Sequence, residues 1–274
     1  MLSCVMKPQI CIHMVLRRCY SDVVRVAEVD GIRKITMIDD KTRNSMTIKM
    51  TQNLLKAVTE NVDGPELRAI VISSGGRMFS SGHNLKDLAS SDGRKVFALY
   101  SELMVAMQAC PVPVITAIDG AAVAAGAQLV AQSDIAIASN ESTFATPGAN
   151  FGVFCHTPGI PIARSTHRKT AAYMLLTGLP LTAQEAVERG LVSRVVRKDE
   201  LEKEVAAVCD AIKAKSKAVV SLGKAFFYKQ LELDTGSAYK EGAKVMSDSL
   251  DLPDGIEGLK SFAEKRKPTW KHKA

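Results

Sequence analysis

Two segments rich in small residues, about forty positions apart, carry the chain's most suggestive chemistry. The first is Phe79-Ser80-Ser81-Gly82-His83-Asn84-Leu85. The second is Gly120-Ala121-Ala122-Val123-Ala124-Ala125-Gly126-Ala127-Gln128-Leu129. Each reads as a strand that enters a turn and then a helix. Side chains this small let another group approach the backbone N–H closely. Two such N–H groups aimed at one point would make an oxyanion hole, which stabilises charge developing on a carbonyl oxygen. A helix N-terminus at one of them would add its dipole. For Ala125 and Gly126 the plainer account is close helix–sheet packing. Gln128 offers a neutral amide that can hydrogen-bond a water or a carbonyl but accepts no proton at neutral pH. Its plainer account is a solvated helix residue.

The elements that would position these segments repeat in a fixed order. Val23 to Glu28 and Ile32 to Ile38 flank Asp30-Gly31, a pair suited to a tight hairpin turn. Met46 to Val58 has helical spacing, and Leu67 to Ser73 reads as a buried strand closed by Gly75-Gly76. Arg94 to Gln108 places Val96, Leu99, Leu103 and Met107 along one helix face. Pro111 and Pro113 end it and lead into a strand over Val114 to Ile118. A helix from near Ala124 and a strand over Asp134 to Ala138 follow. Strand, turn, helix, strand at intervals of about 45 residues implies crossover connections and a largely parallel sheet with helices outside. Thr182-Ala183-Gln184-Glu185 is a capping box for a helix that Gly190 closes, before a strand over Val192 to Val196. The reading divides the chain into a core over 21–198 and a helical region over 199–274 used for packing between subunits.

Composition is ordinary for a globular α/β protein: 46% hydrophobic and 24% charged residues. No apolar run reaches the roughly 18 residues of a membrane span. Residues 1–20 hold Lys7, Arg17 and Arg18 and no acid, the pattern of a mitochondrial presequence cut between Tyr20 and Ser21, or else a disordered tail. Without those three, 33 Lys and Arg face 29 Asp and Glu, a net charge of +4 that suits a small anionic ligand. No aromatic interleaving accompanies the basic residues, so no nucleic-acid partner is expected. Cys110, Cys155 and Cys209 are scattered, with no CxxC and no metal-ligand spacing, and read as reduced thiols.

The motifs FSSGHNL at 79–85, PVPVITAIDGAAVAAGAQLVAQSDIAIAS at 111–139, STFATPGANFGVF at 142–154, LTGLPLTAQEAVERGLVSRVV at 176–196 and SFAEKRKPTW at 261–270 resemble the crotonase (enoyl-CoA hydratase/isomerase) superfamily. Five separated blocks in the right order cover roughly residues 24–270. The resemblance implies a spiral of strand-strand-helix turns with a helical C-terminal region, assembled as a homotrimer or a hexamer of two trimers. It implies an acyl-CoA ligand, no further cofactor, no metal, and a place in fatty-acid metabolism in the mitochondrial matrix.

By the same resemblance the oxyanion-hole N–H groups belong to His83 and Ala125. Asn84, Leu85 and Lys86 line the thioester and pantetheine, and Gly126 lies beside the hole. Phe262 and Lys265 reach the adenine end, typically of a neighbouring subunit. A solvated basic surface is the plainer account of Lys86, Lys265, Arg266 and Lys267. Gln128 and Gly148 stand where hydratases carry glutamates, and Asn150 lies in the loop of the acyl pocket. Acid–base catalysis contributes about 10²–10⁴-fold per positioned group, so hydration is not expected. The turn around His83 is similar to that of acyl-CoA decarboxylases in the superfamily, although a hydrogen-bonded turn histidine would look the same. Decarboxylation or thioester hydrolysis fits better, with Gln128 positioning substrate or water. The rival readings are a non-catalytic acyl-CoA binder and a hydratase using other groups. Cys155 beside His156 could suggest a thiol nucleophile, but no third orienting residue accompanies the pair.

Overall fold

The computed structural model describes residues 16–19, 21–90 and 93–273. Most of the presequence expected over 1–20 therefore lies outside the described residues. Its Leu16–Cys19 is an edge strand, β1, antiparallel to β2. The expected hairpin follows as β2 (Val24–Val29) and β3 (Ile32–Met37). Asp30 and Gly31 take φ of 50° and 74°, the left-handed pair such a two-residue turn requires.

Helix α1 (Ile48–Thr59) starts at Thr47, whose side chain accepts from Met50 N–H. The chain continues through β4 (Ala69–Ser74), β5 (Met78–Ser80), α2 (Leu85–Ala89) and α3 (Gly93–Ala109). Next come β6 (Val114–Ile118), β7 (Ala121–Val123), α4 (Ala125–Gln132), β8 (Ile135–Ser139) and β9 (Thr143–Ala145). Helices α5 (His156–Ser165) and α6 (Arg168–Thr177) precede β10 (Leu181–Thr182), α7 (Ala183–Glu188) and β11 (Arg194–Val196). The capping box at Thr182 forms as expected. The C-terminal region is helical: α8 (Leu201–Lys213), α9 (Lys217–Gln230), α10 (Thr235–Leu250) and α11 (Pro253–Ala263).

These strands build two sheets. The larger runs β1-β2-β3-β4-β6-β8-β11, parallel from β3 onward. The smaller runs β10-β9-β7-β5. Each long strand thus continues, after a turn, into a short strand of the second sheet: β4 into β5, β6 into β7, β8 into β9. This is the strand-strand-helix spiral.

Alternation along the long strands feeds two cores. Ile70, Ile72, Val114 and Ile118 face the main core with Phe79, Leu103 and Leu129. Val71, Ile115, Ala117 and Ile137 face a second core closed by Leu201, Val205 and Cys209 of α8. Burying one such large side chain stabilises by about 1.5–3 kcal/mol. The sheet therefore holds its C-terminal edge rigidly, and the site is built there. Helix α9 is tied down by the Lys224 ammonium, which donates to the Met107 and Val112 carbonyls and to Asp134 at 2.7 Å. The Tyr228 hydroxyl donates to the other Asp134 oxygen. Phe227, Met246, Leu250, Ile256, Leu259 and Phe262 remain exposed on α9–α11.

Candidate functional site

The first small-residue turn is fixed by a loop 38 residues upstream. Arg43 and Asn44 both take left-handed φ there, near 59° and 52°. Asn44 Nδ2 donates to the Gly75 and Met78 carbonyls. Ser80 Oγ donates to the Asn44 carbonyl at 2.8 Å, Ser81 N–H to the Arg43 carbonyl, and Met46 N–H to the Gly82 carbonyl at 2.8 Å. The turn is therefore held through its backbone as far as its tip, where the Gly82 N–H donates to Ser80 Oγ at 3.2 Å.

At that tip Gly82 has φ of 87°, and a Cβ there would lie 2.8 Å from the Val123 carbonyl and 3.3 Å from the Ala125 nitrogen. The two segments meet at this contact. Parallel pairing of β5 with β7 brings them together. Ala124 turns the chain into α4 with φ of 48°, a conformation that costs a residue with a Cβ about 1–3 kcal/mol. No side chain caps α4, so its first-turn N–H groups face forward uncapped. Neither the His83 N–H nor the Ala125 N–H donates to a protein acceptor among the described residues. The Tyr100 hydroxyl, fully buried on α3, donates to the Ala125 carbonyl and pins the first turn of α4 from behind.

A cavity of about 820 Å³ opens at this junction. Ser81, His83, Leu85, Val123, Ala124 and Gly148 contribute to its wall, with Phe97, Phe154 and Cys155. Among the described residues neither a carboxylate nor a Lys or Arg side chain lines it. The His83 ring stands edge-on to Phe97 and Tyr100, with centroids 5.3 and 4.9 Å away. Neither ring nitrogen makes a hydrogen bond among the described residues. Burial pushes the imidazole down to about 4, against a weaker upward pull from the Met46 backbone. The ring is thus neutral at physiological pH, and the turn carries no positive charge.

This depression has a pH consequence. Unfolded chains take up a proton at His83 near pH 6.5, whereas folded chains resist until about pH 4. The folded state is therefore penalised as pH falls through that window and is free of the penalty above it. Denaturant titrations at pH 4.5 and 7.5 check this: the wild type should lose more stability on acidification than His83→Phe.

The other residues singled out by sequence take distinct places. Gly148 lines the cavity, but a Cβ there would stand 2.2 Å from the Val153 carbonyl and 2.7 Å from Cys155 Sγ. Leu85 lines the cavity and is exposed at its mouth. Asn84 caps α2, its Oδ1 accepting from Lys86 and Asp87 N–H. The Lys86 side chain is exposed. Gly126 packs on β5, where a Cβ would meet Ser80 at 2.8 Å. Asn150 is exposed beside Gly178 rather than in the cavity wall. Phe262 and Lys265 lie at the exposed end of α11, outside the cavity of their own chain. Ala125 is fully buried and follows Ala124 of the cavity wall in the chain. Gln128 is buried too, yet it lines a smaller neighbouring cavity instead of the one at His83.

Cys155 and His156 do not form a dyad. Burial pushes the Cys155 thiol up, so it stays protonated. His156 is exposed, with Nδ1 3.0 Å from the Phe154 carbonyl. Sequence reading missed Asn44, Tyr100, Phe97 and Thr157. Only Asn44 carried a signal, as a residue type favoured at positive φ. Among the described residues no cluster of His, Cys, Asp and Glu could hold a metal, and no helix is long and apolar enough to cross a membrane.

Paired sheets in a strand-strand-helix spiral, with two main-chain turns meeting at an apolar cavity, define the crotonase fold. The family model for enoyl-CoA hydratase/isomerase matches residues 27–273, and the chain belongs to that family. It is 47% identical over 249 residues to human mitochondrial enoyl-CoA hydratase domain-containing protein 3, covering 89% of this chain and 82% of that protein. The zebrafish (Danio rerio) protein of the same name is 45% identical, covering 91% and 88%. Among solved structures, the human protein superposes with a TM-score of 0.88 at 46% identity, covering 90% of this chain and all of that one. An enoyl-CoA hydratase from Mycobacterium smegmatis also gives 0.88, at 36% identity, covering 91% and 99%.

Proposed function

We propose that the chain binds acyl thioesters of coenzyme A in the large cavity, with the thioester oxygen held by the N–H groups of His83 and Ala125. The observation that carries this reading is the contact of Gly82 with residues 123–125, which sets the His83 turn against the start of α4, where neither the His83 nor the Ala125 N–H donates to a protein acceptor among the described residues. Two fixed donors stabilise an enolate or tetrahedral oxyanion, and removing one typically raises the barrier by about 3–4 kcal/mol.

Proton transfer has few agents here. Among the described residues no carboxylate lines the cavity, His83 keeps both ring nitrogens buried and the Cys155 thiol stays protonated, which leaves the exposed His156 as the one accessible imidazole on the wall. The chemistry favoured is therefore a lyase or hydrolase step needing little from a base. In decarboxylation the breaking C–C bond supplies its electron pair to the thioester carbonyl, carbon dioxide leaves, and the enolate oxygen rests on the two N–H groups. Solvent then supplies the proton. Thioester hydrolysis would use the same hole for its tetrahedral oxyanion. The same lack of a carboxylate on the wall favours a second reading, a binder without turnover.

The chain acts, on this proposal, in fatty-acid or acyl-CoA metabolism in the mitochondrial matrix, a placement supported by its relatives named mitochondrial. The exposed apolar side chains of α9–α11 suit packing into trimers or a hexamer of two trimers, in which Phe262 and Lys265 would approach a neighbour's ligand. Calorimetry with acyl-CoA esters tests the binding, and mass spectrometry of the same mixtures tests turnover. The expected result is saturable binding of esters that free fatty acids do not reproduce. No binding across short and long chains would refute the proposal.

A further inference from the structure

Among the described residues, the wall of the large cavity offers a single accessible base. The Cys155 thiol stays protonated, both His83 ring nitrogens are buried, and Ser81 Oγ donates to the Thr42 carbonyl at 3.2 Å. His156 is left. It opens α5 and shares the wall with Cys155 and Thr157. It is also exposed, so water reaches it.

The contacts of the ring set its tautomer. Nδ1 lies 3.0 Å from the Phe154 carbonyl. A carbonyl oxygen only accepts, so Nδ1 carries the hydrogen and donates it. Nε2 is left with its lone pair, and it has no hydrogen-bond partner among the described residues. The same carbonyl accepts from the His156 backbone N–H at 2.8 Å, and the imidazole packs on the Phe154 ring with centroids 4.9 Å apart. Three contacts to one residue therefore hold the ring, as an orienting group holds a catalytic base.

The position of this base along the chain matters too. A Cβ on Gly148 would lie 2.7 Å from Cys155 Sγ, so the residue before His156 fills the space of the side chain that Gly148 lacks. The same loop that excludes a carboxylate at position 148 carries an imidazole into the wall. Decarboxylation would leave that imidazole idle. Thioester hydrolysis uses one, because water must lose a proton as it attacks.

We propose that His156 is the general base of a thioester hydrolase. This deepens the acyl-thioester reading above and rests on it. Nε2 takes a proton from water as the water oxygen bonds to the thioester carbonyl carbon. The carbonyl π electrons move onto the oxygen held by the His83 and Ala125 N–H groups. When this oxyanion collapses, the C–S bond breaks and the Nε2 proton passes to the departing sulfur. A free acid and the coenzyme A thiol leave, and the neutral imidazole is restored.

The test mixes the full chain with acetyl-, butanoyl-, octanoyl- and palmitoyl-CoA and follows the freed thiol with a chromogenic disulfide. At least one ester should be hydrolysed. His156→Gln keeps a polar side chain without a basic nitrogen. It should lower kcat by about 10²-fold or more while calorimetric affinity for the same ester is unchanged. In His156→Ala, imidazole added to the buffer should restore part of the lost rate, a rescue that a merely structural residue would not show. Both substitutions alter an exposed residue, so both variants should melt near the wild type. A wild type that binds these esters but frees no thiol would overturn the proposal and leave the binding reading standing. Hydrolysis at the wild-type rate in His156→Gln would also overturn it, as would a loss in His156→Ala that imidazole leaves untouched. Failure of every ester to bind removes both readings.

Discussion

Replacing Gly82 with valine should lower the melting temperature by about 10 °C and abolish acyl-CoA binding. Two separate penalties combine at this residue. Its φ of 87° is a region that residues with a Cβ enter at a cost of about 1–3 kcal/mol. A Cβ would also press to 2.8 Å from the Val123 carbonyl and 3.0 Å from Ala124 Cβ. Overpacking of this kind costs about 1–3 kcal/mol more, because neither contact is the tip of a flexible side chain. In a domain of this size each kcal/mol shifts the midpoint by about 2–4 °C. Binding suffers beyond stability, since relief of the clash must move the His83 turn away from the start of α4. Calorimetry and scanning fluorimetry read both effects. Gly82→Ala should show the same pair of defects in weaker form, because it adds only the first carbon.

The second large effect concerns a single hydrogen atom. Incorporating L-lactic acid in place of Ala125 exchanges the N–H for an ester oxygen while keeping the methyl group. On the proposed mechanism any turnover should fall by about 10²–10³-fold, the usual loss for one oxyanion-hole donor. The fold should survive. The Ala125 N–H engages no protein acceptor, and the hydrogen bond from Gln128 N–H to the Ala124 carbonyl, 2.9 Å long, is weakened but not removed. Ala125→Gly retains the N–H and should retain activity. Single-turnover assays with whichever ester the screen identifies provide the comparison.

Gly148 leaves no room for a glutamate in the structure as it stands, so on the proposed reading a single Gly148→Glu substitution should not create hydratase activity. The position faces the cavity, yet the Val153 carbonyl and Cys155 Sγ occupy the space that any side chain there would need. The loop over 147–155 is closed on this position. The Val153 N–H donates to the Gly148 carbonyl at 3.1 Å, which holds that closure.

Much of this architecture was legible from residues alone, and the parts that were not have physical reasons. Asp30-Gly31 announced its hairpin because few residue pairs tolerate two left-handed positions in succession. Val114 to Ile118, bracketed by Pro113 and the Asp119-Gly120 turn, matched β6 residue for residue. Strands β5, β7 and β9 have three residues each, too few for alternation to register, so the second sheet was visible only through the family resemblance. The Arg43–Asn44 loop supports the His83 turn across 38 residues of sequence, a distance no local pattern spans. Tyr100 looked like any apolar helix position. Gln128 could be read as a solvated helix residue or as a site residue; it is buried, and no sequence pattern shows which of two cavities it lines. Phe262 and Lys265 stand at the surface of their own chain, so a role for them needs a second subunit.

The most direct measurement is the infrared carbonyl stretch of a ¹³C-labelled acyl-CoA thioester, free and bound to the protein. If the His83 and Ala125 N–H groups both grip the oxygen, the bound ester absorbs at distinctly lower frequency. The lactic-acid protein should recover part of that shift towards the free value. A bound ester whose carbonyl frequency is unchanged from solution would contradict the account.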